Sequence, residues 1–172
     1  KSCSSFVIFF YKLNKRHWQR DKSIVYMYRQ CFMRNLLRME GVSMLLRDCA
    51  GGVVFCNNKV FLLFNEKKEW VLPKGLIKEG ESPSDAAVRR VLEETNITAS
   101  IVEQAGRTYY EFYSITRQKP VCNRIAWYIM ESDNENYKIA EPEKYSQGGF
   151  YDITTSLDMI TYSQDKSLVM QS

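Results

Sequence analysis

Four glutamates lie at fixed distances within one segment, Gly75 to Ile97. Glu79 and Glu81 fall in a predicted loop, and Glu93 and Glu94 fall on the helix predicted to follow it. Mg²⁺ takes oxygen ligands, and one or two carboxylates often bind it together with substrate phosphates. A loop and helix with this spacing of acids can therefore hold a divalent cation against a phosphate chain.

A helix that begins at Pro83 would position the last two of these acids. Ser82 is a suitable N-cap, proline suits the first helical position, and Asp85 completes a capping box. Four apolar residues then form one stripe at helical spacing: Ala87, Val88, Val91 and Leu92. We expect Glu93 and Glu94 to lie on a different face, where core packing does not need them.

The same acids also allow a purely structural interpretation. Arg89 and Glu93 are four residues apart, as are Arg90 and Glu94. Such pairs occur on solvated helix faces and stabilise a helix by only ~0.2–0.5 kcal/mol each. From spacing alone, ligation of a cation and simple ion pairing therefore both stay open.

The whole segment resembles the Nudix box, a pattern of glycine, five residues, glutamate, seven residues, then Arg-Glu-apolar-x-Glu-Glu-x-Gly-apolar. Seven positions match at the correct spacing: Gly75, Glu81, Arg89, Val91, Glu93, Glu94 and Ile97. Two positions depart from it, because Arg90 replaces a glutamate and Asn96 replaces a glycine. Asparagine tolerates the left-handed conformation that ends many helices, so the second departure is mild.

The resemblance implies the fold and the reaction. It implies an α+β fold, a Nudix-type α/β/α sandwich with a mixed sheet, over residues 44–172. It also implies hydrolysis, dependent on Mg²⁺ or Mn²⁺, of a pyrophosphate bond in a nucleoside diphosphate linked to another moiety. The stretch from Trp70 to Gly75 is similar to the WxxPKG sequence of the dinucleoside-polyphosphate and diphosphoinositol-polyphosphate branches. Dinucleoside polyphosphates are therefore favoured, with Lys74 meeting a terminal phosphate.

The resemblance also assigns roles to residues. The metal set would be Gly75 through its carbonyl, Glu81, Glu93 and Glu94. The catalytic set would be Arg89, which orients the carboxylates, with Glu93, Glu94 and a loop acid, Glu143 first or Glu141 second. Lys74 and Arg90 would bind substrate.

Arg90 leaves three outcomes open, because a guanidinium cannot ligate a cation and repels one at short range. Metal binding weakens, or Arg90 holds a substrate phosphate in a bidentate fork, or hydrolysis is lost and only binding survives. The last outcome defines a rival class, a non-catalytic nucleotide-sensing or interaction module on the same fold.

Charge divides the chain into two parts. Residues 1–38 carry nine Lys/Arg against one acid, and residues 39–172 carry fifteen against nineteen. We expect residues 1–43 to be a basic N-terminal extension. It would be poorly ordered, or an arm that contacts nucleic acid or a membrane surface, or an added helix. Apart from that arm, the expected partner is a small nucleotide or polyphosphate.

Other compositional features narrow the function. The single histidine and five cysteines without a C-x-x-C pair exclude a zinc site of ordinary spacing. Residues 6–10 are too short an apolar run to span a membrane. Free thiols in a reducing cytosol are expected, so we predict a soluble cytoplasmic protein that does not engage a membrane.

Periodicity predicts the remaining elements. Strands are expected at Cys49–Cys56, Lys59–Asn65, Ile97–Val102, Arg107–Tyr113, Val121–Met130 and Phe150–Tyr151. A tight turn is expected at Asn57-Asn58, and one broken or two short helices at Ser156–Met170.

Overall fold

The computed structural model describes residues 43–172, so the predictions for residues 1–42 lie outside the described residues. The described elements are β1 (Leu45–Cys56), β2 (Lys59–Asn65), β3 (Trp70–Val71), β4 (Lys74–Leu76), α1 (Pro83–Thr95), β5 (Ser100–Ser114), β6 (Lys119–Glu131), β7 (Tyr145–Asp152), α2 (Ile153–Met159) and α3 (Ser163–Gln171). Between residues 43 and 172, no helix is long and apolar enough to cross a membrane.

Two compact units divide these residues. The larger comprises residues 46–110 and 121–172 and contains the three described helices and every predicted site residue. Of the described residues, the smaller holds 43–45 and 111–120, which include the last residues of β5, the turn after them and the first residues of β6.

The strands form one sheet in the order β3-β2-β1-β6-β5, with β4 paired to β1 and β7 paired to β2. Strand β1 is long enough to pair with two partners at different places. Cys49 to Gly51 pair with β4, and Phe55 and Cys56 pair with β2. The first pairing fixes Lys74 and Gly75 against the middle of the sheet.

Alternating residues of the central strands enter two different cores. In β1, Ala50 and Val54 face one core, while Cys49 and Val53 face the other. Such alternation places the cores on opposite faces of the sheet. The first core is covered by α1 and the second by the C-terminal helices, which supply Leu168 among others. The α/β/α sandwich expected from the sequence is therefore confirmed.

Local signals placed two features correctly. Asn57 and Asn58 both have positive φ, 47° and 62°, as a two-residue type I′ hairpin turn requires. Helix α1 is capped by Ser82, whose Oγ accepts from the Asp85 N–H at 3.1 Å and donates to the Asp85 carboxylate at 2.6 Å. The helix ends at Thr95 and is capped by Asn96, which has a φ of 55° in the left-handed region.

Several predicted boundaries were wrong. The two strands expected between residues 97 and 113 are one strand, β5, in which Gly106 has a φ of 135°. Strand β7 extends five residues before Phe150, and the short strand β4 was not predicted. Leu92 does not belong to the buried stripe of α1, because it is 46% exposed.

The cap of α1 gives the first testable prediction. Replacing Ser82→Ala leaves the Asp85 N–H without its acceptor, so the free energy of unfolding should fall by about 0.5–2 kcal/mol. Urea denaturation of both proteins measures this loss. Thr98→Ala, at an exposed position beyond the helix, is the matched control. An equal loss in the two variants would mean that the cap contributes nothing specific.

Candidate active site

Arg89 ties the loop before α1 to the helix itself. Its guanidinium makes a bidentate fork with Glu81, from Nε to Oε1 at 2.5 Å and from Nη2 to Oε2 at 2.6 Å. Its Nη1 donates to Glu93 Oε2 at 2.8 Å, and Nη2 also donates to the Leu76 carbonyl at 3.1 Å. We call Glu81, Arg89 and Glu93 the outer brace. Its geometry agrees with the orienting role predicted for Arg89.

The outer brace keeps its acids ionised. Hydrogen bonds from Arg89 lower the pKa of Glu81 to about 2, with help from the Lys78 N–H. Burial works against ionisation of Glu93, but hydrogen bonds from Arg90 and the charge of Arg89 prevail and lower the pKa of that carboxyl. Both side chains are therefore anionic at neutral pH. A charge-assisted network of this kind also restricts their orientation.

Glu94 is fully buried, which the sequence analysis did not expect. Its Oε1 accepts from Arg90 Nη2, from Lys144 Nζ at 2.8 Å and from the Tyr145 hydroxyl at 3.1 Å. Its Oε2 accepts from the backbone N–H of Lys74 at 3.2 Å. We call Glu94, Arg90, Lys144 and Tyr145 the buried cluster. It joins α1 to β4, to β7 and to the loop before β7.

Helical spacing explains why Glu94 is inside. Residues 87, 91 and 94 follow the i, i+4, i+7 pattern of one helix face, and Ala87 and Val91 are completely buried. The prediction that Glu93 and Glu94 share an outer face was therefore wrong for Glu94, whereas the Glu93 side chain is 39% exposed.

Backbone contacts bring the loop before β7 onto the end of α1. The N–H of Lys138 donates to the Thr95 carbonyl at 2.8 Å, and that of Ala140 donates to the Glu94 carbonyl at 3.1 Å. These bonds carry Glu141 and Lys144 to the site. Although burial opposes it, the Glu94 carboxylate raises the pKa of Lys144, so this side chain stays charged.

Arg90 lies between the two adjacent glutamates of the helix. Its Nη1 donates to Glu93 Oε2 at 2.9 Å, and its Nη2 donates to Glu94 and lies 3.8 Å from Glu141. A Cβ built on Gly75 would be 1.9 Å from Arg90 Nε, so the side chain packs directly on that glycine. The Nε itself is buried and has no hydrogen-bond partner in the described residues.

As placed, these residues do not fit the predicted divalent cation. Arg90 occupies the position between Glu93 and Glu94, and a guanidinium offers only donors and a positive charge. In residues 43–172, no three His, Cys, Asp or Glu side chains converge so that they could hold a metal ion. The metal roles of Gly75, Glu81, Glu93 and Glu94 stay predictions, with Arg90 as the obstacle.

Of the other predicted site residues, Lys74 and Glu141 contact neighbouring residues of the described site, and Glu143 does not. Lys74 Nζ donates to the Leu72 carbonyl at 3.3 Å and lies 5.5 Å from the centre of the Trp127 ring. Of the two candidate loop acids, Glu141 lies 3.4 Å from Lys144 Nζ, whereas Glu143 is exposed and has no ion pair to the described site. The second choice is the one that the structure brings to the cluster.

The family profile described as NUDIX domain matches residues 37–155. The chain belongs to the Nudix family. Family membership covers α1 and the loop before it, where the outer brace lies.

Two curated relatives show how far sequence similarity extends. The chain is 29% identical over 94 residues to an RNA pyrophosphohydrolase of Vibrio atlanticus, covering 48% of this chain and 55% of the relative. It is 55% identical over 40 residues to Nudix hydrolase 5 of Arabidopsis thaliana, covering 23% of this chain and 13% of the relative. The chain thus spans about half, or much less, of these relatives' lengths.

A solved structure supports the fold. The C. elegans Ap4A hydrolase in a binary complex aligns with a TM-score of 0.58 and 20% identity, covering 73% of this chain and 93% of that one. At this identity the likeness concerns the fold alone.

Adjacent glutamates provide a matched pair of variants. Glu94→Gln removes the buried charge that pairs with Arg90 and Lys144, so we expect a loss of about 3 kcal/mol, the lower end for breaking a buried ion pair. Glu93→Gln alters a partly exposed pair and should cost at most about 1 kcal/mol. Urea denaturation measures both. Equal losses would show that Glu94 is not the buried anchor.

Glu81 gives a pH prediction. Its pKa is lowered in the folded state from an ordinary value of 4.5 to about 2. Its contribution is therefore complete above pH 4.5 and is lost as the pH falls toward 2. Thermal unfolding of wild type and Glu81→Gln should differ most at neutral pH and converge on acidification. A gap that stays constant across this range would rule out ionised Glu81 as the source of the stabilisation.

Proposed function

We propose that this chain hydrolyses a pyrophosphate bond in a nucleoside diphosphate linked to another moiety, at a rate that Arg90 lowers. The supporting observation is the intact outer brace, in which Arg89 binds Glu81 in a fork and also holds Glu93. An interaction module would not require this arrangement of ionised acids. Family membership supports the same reaction class.

Glu93 is the acid best placed to meet a substrate. It is the more exposed of the two adjacent helix acids, and it lies 3.5 Å from Nζ of Lys78, a side chain that is 65% exposed. Lys78 is therefore an exposed cation beside Glu93 that is available to a phosphate, a role that the sequence analysis missed. The lowered pKa of Glu93 makes it a weak base near neutral pH, which agrees with a reduced rate.

The substrate contacts predicted for Lys74 and Arg90 form part of this proposal. Both side chains already have partners, Lys74 at the Leu72 carbonyl and Arg90 at the helix glutamates. Binding a phosphate through either one requires exchange of an existing hydrogen bond. A bidentate fork to phosphate would compensate Arg90 for that exchange.

The proposal also concerns the identity of the cation. Nudix hydrolases generally use divalent metal ions. Arg90 lies where Glu93 and Glu94 would hold such an ion. An assay of hydrolysis must therefore be run with and without Mg²⁺ and Mn²⁺. A small nucleotide or polyphosphate is the proposed partner. The cytoplasm is the proposed compartment, with which the buried free thiols of Cys49 and Cys56 agree.

The rival function is binding of a nucleotide or polyphosphate without turnover. One observation favours it, because Arg90 bonds to both acids on which hydrolysis would depend. The rival predicts affinity for substrate that is insensitive to Glu93→Gln and no product in any condition.

A substrate panel distinguishes the two functions. It should include a dinucleoside polyphosphate, an RNA with a 5′-triphosphate and a nucleotide sugar, each with Mg²⁺, Mn²⁺ or chelator, and with phosphate release as the readout. We expect slow turnover by wild type, a loss of at least ~10-fold in Glu93→Gln, and a gain of at least ~10-fold in Arg90→Glu, since a positioned base contributes about 10²–10⁴. Glu103→Gln, exposed on β5, is the control.

One result of these assays would refute hydrolysis. Tight binding in a calorimetric titration, with no product from wild type or from Arg90→Glu, would replace the hydrolase with the binding module.

A further inference from the structure

The side chain of Arg90 is held by hydrogen bonds at its two terminal nitrogens and by packing at its Nε. Its two terminal nitrogens donate to Glu93 and Glu94, and its Nε packs against Gly75. The Glu94 oxygen that it reaches also accepts from Lys144 and Tyr145. Displacing the guanidinium would therefore disturb a buried carboxylate that several elements share.

The formal charges around Arg90 balance. Four carboxylates form ion pairs at this site: Glu81, Glu93, Glu94 and Glu141. Four cations face them: Lys78, Arg89, Arg90 and Lys144. The net formal charge is therefore zero.

A glutamate at position 90 would change this balance by two charges. Five acids would then face three cations, which leaves a net charge of −2. One divalent cation neutralises that excess. Compared with a glutamate at position 90, the arginine raises the net charge of the site by two. One bound Mg²⁺ or Mn²⁺ would raise it by the same amount, at the same pair of carboxylates.

We propose that Arg90 is a built-in cation that replaces a resident divalent metal ion in this site. The free protein then holds neither Mg²⁺ nor Mn²⁺ at Glu93 and Glu94, and its folded state gains no stability from these ions. An incoming ion would have to remove a guanidinium from two carboxylates and would still face its charge at short range. This inference does not depend on whether the chain hydrolyses a pyrophosphate bond.

Titration with Mn²⁺ tests the proposal on the full chain. Unbound Mn²⁺ is counted by electron paramagnetic resonance, and the melting temperature is measured at the same concentrations. Wild type should bind no stoichiometric ion at millimolar Mn²⁺, and its melting temperature should stay constant. Arg90→Glu should bind one ion at least ~10-fold more tightly and should melt at a higher temperature as Mn²⁺ is added, since a ligand of the folded state stabilises it.

Two variants separate the site from a general charge effect. Arg117→Glu makes the same replacement at an exposed turn residue and should behave as wild type. Arg90→Glu combined with Glu93→Gln should lose the ion that the single variant gained. If Arg117→Glu gained Mn²⁺ binding, or if the double variant still bound Mn²⁺, the ion would not be held by this pair of carboxylates.

Wild type also decides the question by itself. If it binds one Mn²⁺ as tightly as Arg90→Glu, or if Mn²⁺ raises its melting temperature but not that of Glu93→Gln, the built-in cation is refuted. If Arg90→Glu does not fold, Arg90→Gln removes the cation without adding an acid and should bind Mn²⁺ more tightly than wild type. Equal, absent binding in Arg90→Gln and wild type would also count against the proposal. None of these readouts depends on catalysis, so they stand apart from the substrate panel.

Discussion

Burial of the Glu94 carboxylate is the constraint on which the arrangement of this site depends. A carboxylate without solvent must be paired and hydrogen-bonded, because its isolated burial is very unfavourable. Here the partners come from α1 itself, from β4, from the loop before β7 and from the start of β7, since Arg90, Lys74, Lys144 and Tyr145 all donate to it. One buried charge therefore holds β4, β7 and the loop before β7 in position around the helix.

The outer brace depends on a different balance. Its acids are partly exposed, so their ion pairs contribute less free energy to folding than the buried pairs do, although they hold side chains in defined positions. Arg90 belongs to both networks because it donates to Glu93 outside and Glu94 inside. A substitution of Arg90 consequently alters the surroundings of Glu93, the acid proposed to meet substrate, and of Glu94, the buried acid that joins the elements of the fold. Effects of substitutions at these positions should not be additive.

The parts of the structure that could be predicted were those with local causes. The cap at Ser82 and the Asn57-Asn58 turn are set by neighbouring residues, and both were correct. Burial of Glu94 was also readable from its spacing with Val91, but the acidic residue type misdirected the interpretation. The contact of Lys144 with Glu94 joins residues 50 apart in sequence, which no local pattern reports. Strand β7 was predicted too short because residues 146–149 are polar or glycine and lack the apolar alternation of a strand.

The position of Gly75 shows how the family pattern accommodates Arg90. In the resemblance this glycine offers its carbonyl to an ion. In the structure the absence of a side chain provides the space that the Arg90 guanidinium fills, since a Cβ would lie 1.9 Å from its Nε. The backbone feature that suits a cation site therefore also suits an arginine, and the sandwich needs no rearrangement to accept it. Fold and chemistry are separable at this point, and in this chain the Arg90 guanidinium pairs with both of the adjacent glutamates.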